Sequence, residues 1–425
     1  MFLALLGAIV LAGCGGNGDT TSQTTYNNGS GNQPFKPTTH LSHRSLVTNY
    51  YAGQLQVMDA TQDRLTNFTF ATGAQSTYMQ PSPDGTLTFV NNSGGNSISS
   101  FNNNQEAVKA SIFLSGFTES FVTSVNNKVG FAAVYNYNNG TFRTPGAIVR
   151  FNPTDGSLNT QIMFPKARYL AMDPLEKHLL VFNDSDNIAY WVDLNTIDST
   201  LQVPPYYPIT IAAHLSRPVA AFFSADSTKA YILNCGIECG GTDVPSVIEI
   251  SVPASPASPV TGTAVTSTVV KSWPVNGARR GLMDLKANKL YVVGSTSTVS
   301  DSAGNAVQDG YFTTIDLAAG TASAPIRIGN GAKYVIRNVN GAFWVGSTHC
   351  GVQSCFTIVN AAAGTATVLP TSKGDGTGVS FTANSGEVYT IEGGEFYMYD
   401  QSGNPITSQY ATDVRGQASD VLYIN

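Results

Sequence analysis

Charge is scarce in this sequence. Only 12% of its 425 residues are Asp, Glu, Lys or Arg, and 28 acidic residues outnumber 22 basic ones for a formal net charge of −6. A chain without a basic footprint is not built for non-specific nucleic-acid binding, which works by neutralising phosphates. The apolar run at the start, Phe2 to Gly13, is too short to span a bilayer as a helix. The five histidines, His40, His43, His178, His214 and His349, show no H-x-x-x-H spacing, and no C-x-x-C-H haem site is present. A G-x-S-x-G elbow and a glycine-rich phosphate loop are also missing. Phe151-Asn152-Pro153-Thr154-Asp155-Gly156 is oxygen-rich but lacks the full spacing of a calcium loop.

What is present is turn-rich and strand-forming. The chain is 42% hydrophobic, enough for a large core, and carries 41 glycines. Lys289-Leu290-Tyr291-Val292-Val293-Gly294 is short, apolar and β-branched, as a strand buried on both faces should be. Before it comes Gly281-Leu282-Met283-Asp284-Leu285, and after it Phe312 to Gly320 and Ala324 to Gly329. These four runs read as strands A, B, C and D of one up-and-down sheet. The unit recurs at a period of about 40–50 residues, the mark of a β-propeller. B strands are predicted at Leu46–Tyr50, Leu87–Asn91, Gly130–Tyr135, His178–Asn183, Lys229–Asn234, Lys289–Gly294, Ala342–Ser347 and Glu387–Glu392. The prediction is an all-β propeller of eight four-stranded blades, with seven as the alternative.

Pro83-Asp84-Gly85-Thr86-Leu87-Thr88-Phe89-Val90, Lys289-Leu290-Tyr291-Val292 and Phe312 to Gly320 resemble the YVTN family of bacterial propeller repeats. That resemblance implies the fold and leaves function open, because such scaffolds host enzymes, binders and structural proteins alike.

The ends complement each other. Arg44 to Phe70 supplies strands B, C and D without an A, and Ser419 to Ile424 reads as a lone A strand. Together they close the ring and remove its exposed edges. Ahead of the propeller, Leu11-Ala12-Gly13-Cys14 resembles the lipobox of bacterial lipoproteins, which implies cleavage before Cys14 and lipid on its thiol. No Lys or Arg precedes the apolar run, so the alternatives are a start upstream of Met1 or a buried apolar N-terminus. Gly15 to His43 is rich in Gly, Asn, Ser, Thr and Gln and reads as a flexible linker. The expected organisation is a signal peptide over 1–13, a lipid-anchored linker over 14–43 and a propeller over 44–425. The implied address is the cell envelope. Gly15 after the cysteine leans towards the outer membrane.

Tight A–B turns contrast with long B–C loops at Asn136 to Gly146, Cys235 to Ser246, Ser295 to Gly310 and Ser347 to Ser354. B–C and D–A connections share one rim, so one face is elaborated, and elaborated loops on a rigid scaffold are where binding concentrates. The C–D loop Val252 to Val270 reads as a mobile excursion on the opposite rim. Cys235 with Cys239 and Cys350 with Cys355 are expected to form local disulfides; a four-thiolate metal site is the alternative. Strand-end residues such as Asp59, Asp193, Asp316 and Asp400 are expected to cap turns. Arg168, Arg217, Arg279, Arg280 and Lys333 stand just before successive A strands, with Lys373 and Arg415 further upstream of theirs. They predict a ring of cations at the channel mouth, either an anion site or a set of inter-blade struts. Tyr135, Tyr137, Phe142, Tyr311 and His349 stand on the same rim. The reading is an envelope binding module, monomeric and without cofactor or metal, whose partner is a protein or an anionic carbohydrate or small molecule. The alternative is a propeller hydrolase or lactonase with a channel site.

Overall fold

The computed structural model describes residues 39–424 apart from 137, 139, 141–145, 165–166, 184–185, 195–205, 211–214, 255–261, 301–305, 330–331, 338–339, 349, 351–353, 371–372, 407–413 and 415. Eight sheets, antiparallel apart from one short added strand, follow one another round a ring. Their inner A strands are Ala418–Tyr423, Ser76–Pro81, Phe117–Thr123, Tyr169–Met172, Pro218–Phe223, Arg280–Asp284, Ala332–Arg337 and Gly376–Phe381, for blades 1 to 8 in that order. Blade 1 is the closing blade. Its first three strands, Arg44–Asn49, Gln54–Asp59 and Arg64–Ala71, come from one end of the described chain, and Ala418–Tyr423 comes from the other. Val47 lies opposite Val421 and Leu46 opposite Leu422.

The alternating runs explain why the blades stack. In the B strand of blade 6, Leu290 and Val292 enter an apolar cluster shared with blade 5, including Trp273 and Leu233. Tyr291 and Val293 point the other way, into a cluster with Phe343 and Val345 of blade 7. An extended strand sends successive side chains to opposite faces, so one run fills two interfaces. Similar apolar clusters occupy all eight interfaces between neighbouring blades. Burying one such side chain stabilises by about 1.5–3 kcal/mol, and no blade could bury both faces alone.

The turns follow the expected chemistry. Asp59 accepts hydrogen bonds from the N–H groups of Thr61 and Gln62, Asp316 from Ala319, and Asp400 from Ser402 and Asn404. In the A–B turn of blade 2, Asp84 takes the Ser82 hydroxyl and the Thr86 N–H; in blade 5, Asp226 takes Ser224 and Thr228.

Several boundaries differ from the sequence reading. Ser295 to Gly310 is not a plain loop: the strands Lys289–Ser300 and Ala306–Asp316 continue past the blade as a ribbon, with a register shift between Ser295 and Thr298. Within the excursion Val252 to Val270, Val265–Thr266 pairs in parallel with Tyr206–Thr210 of blade 4. The end of the stretch read as linker packs on the propeller. Thr39 donates from its N–H and its hydroxyl to the Glu106 carboxylate, and the His43 ring lies 3.0 Å from the Tyr423 hydroxyl. Blade 8 has three paired strands among the described residues.

Candidate functional site at the channel mouth

The inner strands start at the rim that carries the B–C loops, so their first residues border the channel mouth. Five of them, from blades 2 to 6, enclose a cavity of about 400 Å³. Its wall is aromatic: Tyr78, Phe121, Tyr169 and Phe222 all line it. Tyr78 stacks on Phe121 with ring centres 5.7 Å apart, and its hydroxyl donates to the Glu119 carbonyl at 3.1 Å, tying blade 2 to blade 3. Burial pushes the Tyr78 phenol well above its usual range. At this site it is a hydrogen-bonding wall and not an acid.

Glu119 and Arg280 supply the charges lining the cavity. Arg168 forms an ion pair with the Glu119 carboxylate, both about a third exposed, and its guanidinium lies 5.5 Å from the centre of the Tyr169 ring. Such a half-solvated pair contributes little stability, but it neutralises Glu119. Arg280 is exposed at the first position of its strand, where one of its N–H groups donates to the Arg279 carbonyl at 3.4 Å. No carboxylate forms an ion pair with Arg280 among the described residues. Arg279 and Arg280 thus stand exposed at the mouth of an acidic chain. On the blade 1 side, Asp420 is held by backbone: Met79 N–H donates to its carboxylate at 2.7 Å.

The expected cations that are described meet different partners. Arg280 lines the cavity and Arg168 pairs at its edge. Arg217 reaches the Gly240 carbonyl at 3.3 Å, on the disulfide loop. Arg279 is exposed beside Arg280, and its N–H donates to the Val293 carbonyl. Lys333 lies in the inner strand of blade 7, with its side chain outside the described residues. Lys373 is turned into blade 8: its amine lies 3.8 Å from the Tyr397 ring centre and donates to the Tyr399 hydroxyl, which donates to buried Glu392. Tyr135 closes a B strand on this rim, and Tyr311 pairs with Gly294 in the ribbon of blade 6. Cys14, Tyr137, Phe142, His349 and Arg415 lie outside the described residues.

Both disulfides form as expected, Cys235–Cys239 and Cys350–Cys355, which fits a chain exposed to oxidising conditions. The first frames a 3-10 turn, Gly236–Cys239, that carries Glu238 across to blade 6. Here the backbones meet closely: a Cβ on Gly294 would lie 2.5 Å from the Ala278 nitrogen and 2.6 Å from a Glu238 carboxyl oxygen. That oxygen is buried without a hydrogen-bond partner. Burial raises the Glu238 carboxyl to about 7, against the nearby N–H groups of Ser295 and Ala278 and the charges of Arg279 and Arg280. Sequence reasoning missed Glu238, Glu119 and Tyr78. The signals available were a carboxylate between two paired cysteines and polar residues in strands that line a channel.

Among the described residues no helix is long and apolar enough to cross a membrane, and no three His, Cys, Asp or Glu side chains converge as a metal site would require.

No protein-family model matches the chain, and no curated protein matches its sequence. Solved structures do match its fold. The dihydro-heme d1 dehydrogenase NirN, determined in complex with DHE, is 14% identical and superposes with a TM-score of 0.65 over 92% of this chain and 77% of that one. The hydrazine synthase of Kuenenia stuttgartiensis gives 0.54 at 12% identity, over 77% of this chain and 96% of that one. A proposed 6-phosphogluconolactonase of Bacteroides fragilis gives 0.52 at 14% identity, over 92% and 100%. At these identities the likeness concerns the propeller fold alone.

Proposed function

We propose that this chain is a lipid-anchored propeller of the cell envelope that binds an anionic ligand with an aromatic or apolar body at its channel mouth. The observation that carries the reading is Arg280, without an ion pair among the described residues, opening into a 400 Å³ cavity walled by four aromatic rings. Cavities of a few hundred Å³ with mostly apolar walls and a few placed polar groups are where small molecules bind. The guanidinium supplies a two-pronged donor for carboxylate or phosphate, and a concave mouth concentrates the local field despite the acidic total. The size and apolar walls of the cavity favour a small-molecule ligand over a protein partner.

The anchor would be lipid on Cys14, in the outer membrane or at the surface. Arg44 opens a B strand at the end away from the B–C turn, and Thr39 is fastened to Glu106 in a C–D turn. Thr39 and Arg44 thus lie on the rim opposite the mouth. An enzymatic reading, lactonase-like hydrolysis of an anionic substrate at this mouth, draws on the likeness to the Bacteroides fragilis protein.

Calorimetric titration with benzene-1,3,5-tricarboxylate and with citrate tests the site. Binding should favour the aromatic acid, weaken as salt rises, and fall at least tenfold in Arg280→Glu with unchanged melting. Equal binding by Arg280→Glu would refute the mouth as the site. Turnover of a sugar lactone that is lost in the same variant would favour the enzyme.

A further inference from the structure

A second cleft lies between blades 6 and 7 on the opposite rim. The face that blade 6 turns to blade 7 changes character along its length. At the mouth end Val293 pairs with Phe312, and both are buried in the shared apolar cluster. Next comes Tyr291 opposite Thr314, and at the far end Lys289 opposite Asp316. Across from that polar end, blade 7 presents two turns of small residues, Asn340-Gly341-Ala342 and Asn360-Ala361-Ala362. Elsewhere apolar side chains seal the interface between blades. Here one wall is polar and the other is cut back to glycine and alanine, and a cleft of about 870 Å³ remains.

We infer that this cleft is a binding site for a neutral saccharide. Its charges cancel, because Lys289 and Asp316 are cross-strand neighbours, so it has no net attraction for an anion or a cation. Its polar groups mix donors and acceptors at close spacing: an ammonium, a carboxylate and two carboxamides. Asp316 uses one carboxylate oxygen on the Ala319 N–H, and Asn360 uses its carbonyl oxygen on the Ala363 N–H. Those bonds fix both side chains at the cleft edge. Vicinal sugar hydroxyls donate and accept together, and a planar amide or carboxylate meets two at once. The Tyr291–Phe343 ring pair, with centres 4.3 Å apart and both rings almost fully buried, closes the base of the cleft, so a sugar would be held chiefly by the polar groups at its edge. The volume lies in the range of small-molecule sites. The site shares no residue with the channel mouth, so it stands or falls apart from the function proposed above.

Saturation-transfer NMR on the intact protein with cellobiose, maltose and N,N′-diacetylchitobiose at 10 mM is the test. At least one should bind. Ala362→Trp, at an exposed position on the small-residue wall, should fill the cleft, weaken binding at least tenfold and leave the melting temperature unchanged. Arg280→Glu should bind the sugar as the wild type does. The inference is overturned if none of the three disaccharides binds. It is equally overturned if binding survives both Ala362→Trp and Ala322→Trp, which enter the cleft from opposite walls.

Discussion

Replacing Glu238 by Gln should change how the protein's stability depends on pH. The carboxyl stands at about 7 in the folded protein against an ordinary value of 4.5, chiefly because burial disfavours its charge. Between those values the folded protein holds a proton that the unfolded chain has released. Stability therefore falls as pH rises through the window from 4.5 to 7, and the loss is complete above it. At about 1.4 kcal/mol per pH unit, the gap is worth roughly 3 kcal/mol. Unfolding entropy of about 2.1 cal/mol/K per residue over some 400 residues converts this to roughly 4 °C.

The measurement is the difference in melting temperature between wild type and Glu238→Gln at pH 5, 6, 7 and 8. The difference is needed because Glu387 and Glu392 are also raised by burial and tilt the raw curve the same way. Gln cannot ionise, and part of the loss has already occurred at pH 5, so the variant should gain on the wild type by about 3 °C from pH 5 to pH 8. Arg279 and Arg280 are the charged groups that act on this carboxyl from the adjoining strand. The Cys235→Ser/Cys239→Ser double variant should abolish most of the pH dependence, because the 3-10 turn that drives Glu238 between Ala278 and Gly294 is then no longer clamped. A difference between Glu238→Gln and wild type that stays constant from pH 5 to pH 8 would refute the reasoning.

Two other outcomes follow from the fold. Deleting 418–425 removes the inner strand of blade 1 and exposes the edge of Arg44–Asn49; aggregation in gel filtration and a large drop in melting temperature are expected, and unchanged melting would overturn ring closure. Arg44 and Glu106 form an ion pair at 2.7 Å with both side chains almost fully buried. Arg44→Met alone strands a buried carboxylate and should cost about 3–5 kcal/mol, while Arg44→Met/Glu106→Met should recover most of it; in a double-mutant cycle, simple additivity would show that the pair is uncoupled.

The fold was legible because its determinants are local and repeated. Leu290, Tyr291, Val292 and Val293 announce a strand buried on both faces before any neighbour is known, and eight such runs at a steady interval specify a ring. Closure was legible for the same reason, since three strands at one end and one at the other make a whole blade. The disulfides followed from spacing and the turn carboxylates from strand ends. The site was not legible, because none of its parts is unusual in its own repeat. Tyr78, Glu119, Tyr169 and Phe222 are ordinary members of inner strands, and only closing the ring places them round one cavity. Arg168 and Arg217 stand directly before their strands and Lys373 three residues before its own, and one meets a carboxylate, one a carbonyl and one a pair of tyrosines. What separates them is the residue each meets on a neighbouring blade or strand, such as Glu119 from blade 3 or Gly240 from the disulfide loop. A rim cation can therefore be assigned to ligand or to scaffold only once its cross-blade neighbour is identified. By that criterion Arg280, which lines the cavity without an ion pair among the described residues, has as its charged cross-blade neighbour the Glu238 carboxyl carried by the disulfide loop, and what it does for a ligand depends on how far that carboxyl is ionised.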